Sequence, residues 1–133
     1  MKMINVPKSN VAIFSIKPVY VDKILSGKKK VEYRKSKCNR DIKKIIIYAT
    51  APIKMVVGEV DVSEIISGTP DELWNLTFEH GGISKADYEA YFSGKSVAFA
   101  YRLTKPVKFR IPRLLKEYGI DRAPQSFCYI KNL

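Results

Sequence analysis

Histidine and cysteine are nearly missing from this chain: His80, Cys38 and Cys128 are all it has among 133 residues. The two cysteines lie far apart, with none of the close, even spacing of a disulfide framework or a zinc set. Both are expected to be free thiols in a reducing compartment, and no metal is expected. His80, beside Gly81 and Gly82, reads as a helix C-terminal residue rather than a catalyst. No apolar run approaches the roughly 18 to 20 residues that span a bilayer, and positions 1–10 lack the apolar stretch of a signal peptide. The expectation is a cytoplasmic protein with no membrane partner. A Walker loop, a dinucleotide fingerprint and a nucleophile elbow are also missing, so the common nucleotide-hydrolysing and redox mechanisms lack their parts and no cofactor is implied.

Acidic residues are scarce as well, 13 against 24 Lys and Arg, for a net charge of +11. Their distribution says more than the total. Residues 28–44 hold nine basic and two acidic side chains, residues 59–92 one basic and eight acidic, and residues 93–133 nine basic and two acidic. If the two basic blocks meet in space, they make a cationic surface that concentrates a polyanion. The plain alternative is a charged surface that only keeps the protein dissolved.

What is present is ordinary globular composition, 46% hydrophobic and 28% charged, with eight Tyr and six Phe. The length suits one core, so 1–133 is expected to be a single domain. Residues 11–16 read as a first strand. Pro18 then opens a helix to about Ser26, with Val19, Ile24 and Leu25 as its apolar stripe and Gly27 as its left-handed cap. Residues 29–35 alternate, placing Val31 and Tyr33 on one face and Lys30, Glu32 and Arg34 on the other. The continuous run Ile45, Ile46, Ile47, Tyr48 predicts a strand covered on both sides within 42–50. Residues 55–66 are strand-like, with Gly58 marking a bulge or a close backbone approach.

Thr69, Pro70 and Glu72 form a capping box that opens a helix expected to turn Leu73, Trp74 and Leu76 or Phe78 inward and to stop at Gly81 and Gly82. Ser84 with Asp87 caps a second helix that buries Tyr88, Tyr91 and Phe92 and ends at Gly94. Strands are expected at 96–103 and 107–111, a short helix at 112–118 capped by Gly119, and a closing strand at 126–130. Five or six strands with helices between them predict an α+β domain around a small, strongly curved sheet or barrel.

The chemistry concentrates in Gly27-Lys28-Lys29-Lys30-Val31-Glu32-Tyr33-Arg34. A helix ends, the chain turns, and a strand presents Lys29 with Glu32 and Arg34 two apart on one face. An adjacent carboxylate orients a guanidinium fork and leaves its other donors for a phosphate or base edge. The competing reading is a surface ion pair on a solvated strand, worth roughly 0–1 kcal/mol.

Gly27, Lys29, Glu32 and Arg34 reproduce the G-x-K-x-x-E-x-R signature, and in this the chain resembles the ASCH domains, a branch of the PUA-like superfamily. The resemblance extends to Ser15-Ile16-Lys17-Pro18, to Ile47-Tyr48-Ala49-Thr50 with Val57-Gly58-Glu59, and to Pro124-Gln125-Ser126-Phe127. It implies a PUA-like pseudobarrel with peripheral helices and a cleft, lined by Lys29, Glu32 and Arg34, that takes RNA or a nucleotide-derived ligand. Lys17, Tyr48, Thr50, Gln125 and Ser126 sit at the ends of expected elements and are added as cleft-rim candidates. Tyr48 either stacks a base or is a core tyrosine.

Three functions stay open. A binding module would place cations on phosphates and Glu32 on base or ribose donors. An enzyme, as in relatives that resemble amidohydrolases on acylated cytidine or ribonucleases, would use Lys29 as nucleophile or base, its pKa lowered by Lys28, Lys30 and Arg34, and Glu32 to move a proton. The hydrolase branch carries Thr where this chain has Glu32, and a glutamate there opposes a lowered lysine pKa. A protein-interaction domain would use the acidic helices of 69–92, with Trp74 as anchor.

Overall fold

A computed structural model of the chain describes residues 10–39 and 41–130. The reading of positions 1–9 lies outside them. Six strands form one mixed sheet, β1 (Val11–Ile16), β2 (Val31–Arg34), β3 (Lys44–Ala49), β4 (Met55–Gly68), β5 (Ala98–Arg113) and β6 (Phe127–Tyr129). Their spatial order is β2-β5-β4-β3-β1-β6, curled into a half-barrel with three helices, α1 (Pro18–Leu25), α2 (Pro70–Thr77) and α3 (Lys85–Tyr91). β1 runs parallel to β3, and the other pairs are antiparallel. This is the expected α+β, PUA-like pseudobarrel.

The apolar run in β3 is covered on both faces. Ile45 and Ile47 pack with Phe14, Val21, Ile24 and Tyr101 on one side, while Ile46 and Tyr48 pack with Ile13, Val56 and Phe109 on the other. A third cluster, built on Tyr33, Leu73, Tyr88 and Phe92, fixes α2 and α3 to β2 and β5. Each such large side chain removed from water contributes about 1.5–3 kcal/mol.

Gly58 is where β4 bends. Register shifts fall on both its neighbours, and a Cβ there would lie 2.5 Å from the Val107 carbonyl oxygen and 2.8 Å from Leu25 Cδ2. Residues 96–111 were expected as two strands and form one. Lys105 takes φ +53, and Lys105 and Pro106 are accommodated between the Thr104 and Val107 pairings with β4, so a bulge absorbs the proline and the ladder resumes.

Other elements differ in detail. In α1 the buried residues are Val21 and Ile24, whereas Val19 is 54% exposed. The capping box of α2 is present, with the Thr69 hydroxyl accepting from Glu72 N–H and the Glu72 carboxylate from Thr69 N–H. That helix buries Leu73 and Thr77 and leaves Leu76 and Phe78 facing out, because its inner face is set by the Tyr33–Thr77 bond and Phe78 stacks on Trp74. Pro112 belongs to β5. The helix expected at 112–118 shrinks to a 3-10 turn, Leu115–Tyr118, closed by Gly119 at φ +73.

Candidate functional site

Gly27 leaves α1 with φ +81, a conformation L side chains rarely adopt, and swings the chain from the helix into β2. On the way the Lys29 amide donates to the Lys23 carbonyl and the Lys30 amide to that of His80, at 2.9 and 2.8 Å. β2 lies against β5 and under the aromatic cluster, so all four of its residues are buried. Of the face carrying Lys30, Glu32 and Arg34, only Lys30 is exposed: Glu32 is 7% and Arg34 8% exposed, and Lys29 beside them is 3% exposed. A solvated surface pair is thereby ruled out.

Glu32 sits between two cations. Its Oε2 accepts from Arg34 Nε at 3.1 Å and lies 2.9 Å from Nη2, while Oε1 is 3.9 Å from Lys29 Nζ. Arg34 also donates from Nη2 to the Ser15 carbonyl at 3.0 Å and from Nη1 to Ser126 Oγ at 3.1 Å, with its guanidinium 4.8 Å above the Phe14 ring. The fork expected to offer its spare donors to a ligand therefore spends most of them stitching β1, β2 and the approach to β6 together. Because Ser126 Oγ accepts from Arg34, its own proton is available to a guest.

Lys29 Nζ donates to the Gly81 carbonyl and lies 5.1 and 5.0 Å from the centres of the Tyr20 and Tyr33 rings. Burial lowers its pKa, and Lys23 and Arg34 lower it further against the opposing pull of Glu32. The lysines adjacent in sequence, Lys28 and Lys30, are not the cause. Desolvation outweighs the carboxylate here, contrary to the expectation drawn from Glu32 alone.

Above these three charges opens a cleft of about 870 Å³. Lys17, at the cap of α1, and Tyr20 of α1 form one side, Asp87 and Tyr91 of α3 the other, and Gln125 and Ser126 the end. Lys35 reaches the same wall, its Nζ 4.5 Å from the Tyr91 ring centre. Burial, helped by Asp87 and Glu32, raises the Tyr20 pKa, so its phenol stays a donor.

Of the eight sequence-derived candidates, the fold brings Lys17, Lys29, Glu32, Arg34, Gln125 and Ser126 to this cleft. Tyr48 and Thr50 are elsewhere. Tyr48 points into the core beside Phe109 and Ile130, and Thr50 starts the turn after β3, its amide donating to the Ile16 carbonyl at 3.0 Å. Tyr20, Lys35, Asp87 and Tyr91 were not singled out beforehand. Tyr20 lies one helical turn from Lys17, and that spacing is a readable signal. Nothing local marks Tyr91 or Asp87 as facing β2. Among the described residues, no group of three or more His, Cys, Asp or Glu is placed to hold a metal. No helix of these residues is long and apolar enough to cross a membrane.

The chain as a whole has counterparts among known proteins. An ASCH domain-containing ribonuclease of Zymomonas mobilis is 32% identical over 133 residues, spanning 97% of this chain and 90% of that protein. The crystal structure of ASCH from the same organism superimposes with a TM-score of 0.84 at 30% identity, over 92% of this chain and 88% of that one. A large ribosomal subunit protein uL22 of Ureaplasma parvum is 34% identical over 99 residues, 74% of this chain, but this chain spans only 32% of that relative's length. The ASCH domain family model matches residues 14–108, and the chain belongs to that family.

Proposed function

We propose that the cleft takes in one nucleotide of a single-stranded RNA. The observation that carries this is the buried Lys29–Glu32–Arg34 cluster beneath a cleft walled by two tyrosines. Lys17, Lys29, Arg34 and Lys35 face Glu32 and Asp87 there, a surplus of cations that suits a phosphate. Tyr20 and Tyr91 offer ring faces to a base, a contact worth about 1–3 kcal/mol per base. The Ser126 hydroxyl and Gln125 supply polar contacts that a ribose or base edge uses. The similarity to a ribonuclease over nearly the whole chain supports RNA as the polymer. Fluorescence anisotropy with a labelled oligouridine at two salt concentrations tests the reading. Binding that weakens as salt rises is expected; no binding, or binding indifferent to salt, removes it.

A second reading, cleavage of the bound strand, has its own support in the lowered pKa of Lys29. In this reading the fraction of Lys29 that is unprotonated accepts the 2′-hydroxyl proton as that oxygen attacks phosphorus; the P–O5′ bond breaks, the leaving oxygen takes a proton from water, and a 2′,3′-cyclic phosphate and a 5′-hydroxyl remain. Gel analysis of RNA incubated with the wild type and with Lys29→Met decides it. RNA left intact by the wild type ends this reading and leaves binding untouched.

A further inference from the structure

We infer that the second half of β5 is a separate RNA contact, holding the sugar–phosphate backbone of a strand outside the cleft; this rests on the reading of the cleft as an RNA site. β2 pairs with β5 only from Phe99 to Arg102. Beyond Thr104 one edge of β5 has no neighbouring strand among the described residues, and every residue of 104–113 except Phe109 is exposed. No Asp or Glu occurs between 98 and 116, whereas Lys105, Lys108, Arg110, Arg113 and Lys116 do. Of the nearby acids, Glu59 is engaged by a lysine, whereas Glu117 keeps its charge beside Arg113. Glu59 pairs with Lys44 Nζ at 2.5 Å, and Glu117 accepts the Leu114 amide at 2.7 Å.

The cations are set on a built surface. Arg113 lies 3.8 Å over the Phe109 ring and donates to the Tyr118 hydroxyl at 2.9 Å, so its plane is fixed before a ligand arrives. Lys108 and Arg110, two apart on a strand, project to the same side. Val107 and Ile111, 49% and 74% exposed, flank these two cations in sequence and, by the same alternation, add apolar surface on the opposite face of the strand. A row of exposed cations along a strand, with apolar surface beside it, tracks a single-stranded backbone.

An added protein strand fits this edge poorly. Pro106 and Pro112 have no amide hydrogen, and the bulge at Lys105 interrupts the ladder a partner strand would need. Side chains, not the backbone, are what the edge presents. The segment that leaves β5 also returns to Gln125 and Ser126, so the exposed strand and the cleft terminate the same stretch of chain.

The experiment compares a uridine 20-mer with a uridine trinucleotide on the wild type and on the double variant Lys108→Gln, Arg110→Gln. Both positions are exposed, and matching circular dichroism spectra confirm that the fold is kept. The 20-mer is expected to bind the variant more weakly, with a plot of log affinity against log salt shallower by about 1.4 for two lost phosphate contacts on a single strand. Trinucleotide binding stays unchanged. If the variant holds the 20-mer as tightly as the wild type does, the inference fails while the cleft reading survives, and an acidic protein becomes the candidate for this patch. If the wild type binds the 20-mer through these residues but never the trinucleotide, the inference holds and the cleft reading fails. If neither oligomer binds the wild type, both are overturned.

Discussion

Lys29 Nζ donates to the Gly81 carbonyl oxygen at 2.5 Å, joining two positions 52 residues apart. The same turn is held by Lys23 Nζ on the Gly82 carbonyl at 3.1 Å and by the Lys30 amide on that of His80. A Cβ on Gly82 would meet Lys29 Cβ at 2.6 Å, so the lysine stem lies flat against the turn. The signature lysine thus fixes the segment that leads into α3, the wall carrying Asp87 and Tyr91.

Replacing Lys29 by Met keeps the stem and removes the donor. A hydrogen bond from a charged group is worth about 1.5–3 kcal/mol, so amide exchange over 81–92 is expected to speed up and RNA affinity to fall roughly tenfold. Exchange unchanged in that segment, measured by mass spectrometry, would show that the wall is held by other contacts.

The pH dependence follows from the sign of the shift. The folded-state pKa of Lys29 lies below its ordinary value of 10.5. Between those two values the unfolded chain binds more protons, so the contribution of Lys29 to stability rises with pH across that window and is lost as pH falls through the folded value. Denaturant titrations of the wild type and Lys29→Met are expected to diverge in favour of the wild type as pH approaches 10. A difference constant from pH 7 to 10 contradicts the lowered pKa.

Arg34→Ala leaves Glu32 buried with only the more distant Lys29 as counter-charge. Breaking a buried pair costs about 3–5 kcal/mol. The links to Ser15 and Ser126 go with it, so the variant is expected to be less stable and to lose RNA binding. Chemical denaturation reads the first effect and anisotropy the second. A loss below about 1 kcal/mol, the range of an exposed pair, argues that the cluster is solvated.

Gly58→Ala places a methyl against backbone rather than a yielding side chain, since the Val107 oxygen is 2.5 Å away. Overpacking of this kind costs about 1–3 kcal/mol. Thermal unfolding checks it, and a melting temperature equal to that of the wild type would mean β4 and β5 can separate at the bend.

Signals confined to a few residues were legible in advance. Pro18 after β1, the Thr69–Glu72 box and the all-apolar centre of β3 each state their local structure, and the G-x-K-x-x-E-x-R spacing pointed to the correct turn and strand. Long-range packing was not legible. Tyr48 and Tyr91 are both aromatic residues near the end of an element, yet only the fold decides that Tyr48 packs beside Phe109 and Tyr91 beside Lys35. For Glu32 and Arg34 a cleft lining and a solvated ion pair both stayed open for the same reason, because alternation with Val31 and Tyr33 does not tell a covered face from an exposed one.

Arg34 reaches Ser126 across 92 positions, and Ser15 reaches Pro124 across 109. During synthesis, a nascent chain that has left the ribosome only as far as α3 already owns the three charges but has nothing to close the end of the hollow. Affinity for a guest therefore arrives late, after most of the polypeptide has been made, and a product cut short before residue 125 is expected to fold in part while remaining unable to capture its ligand.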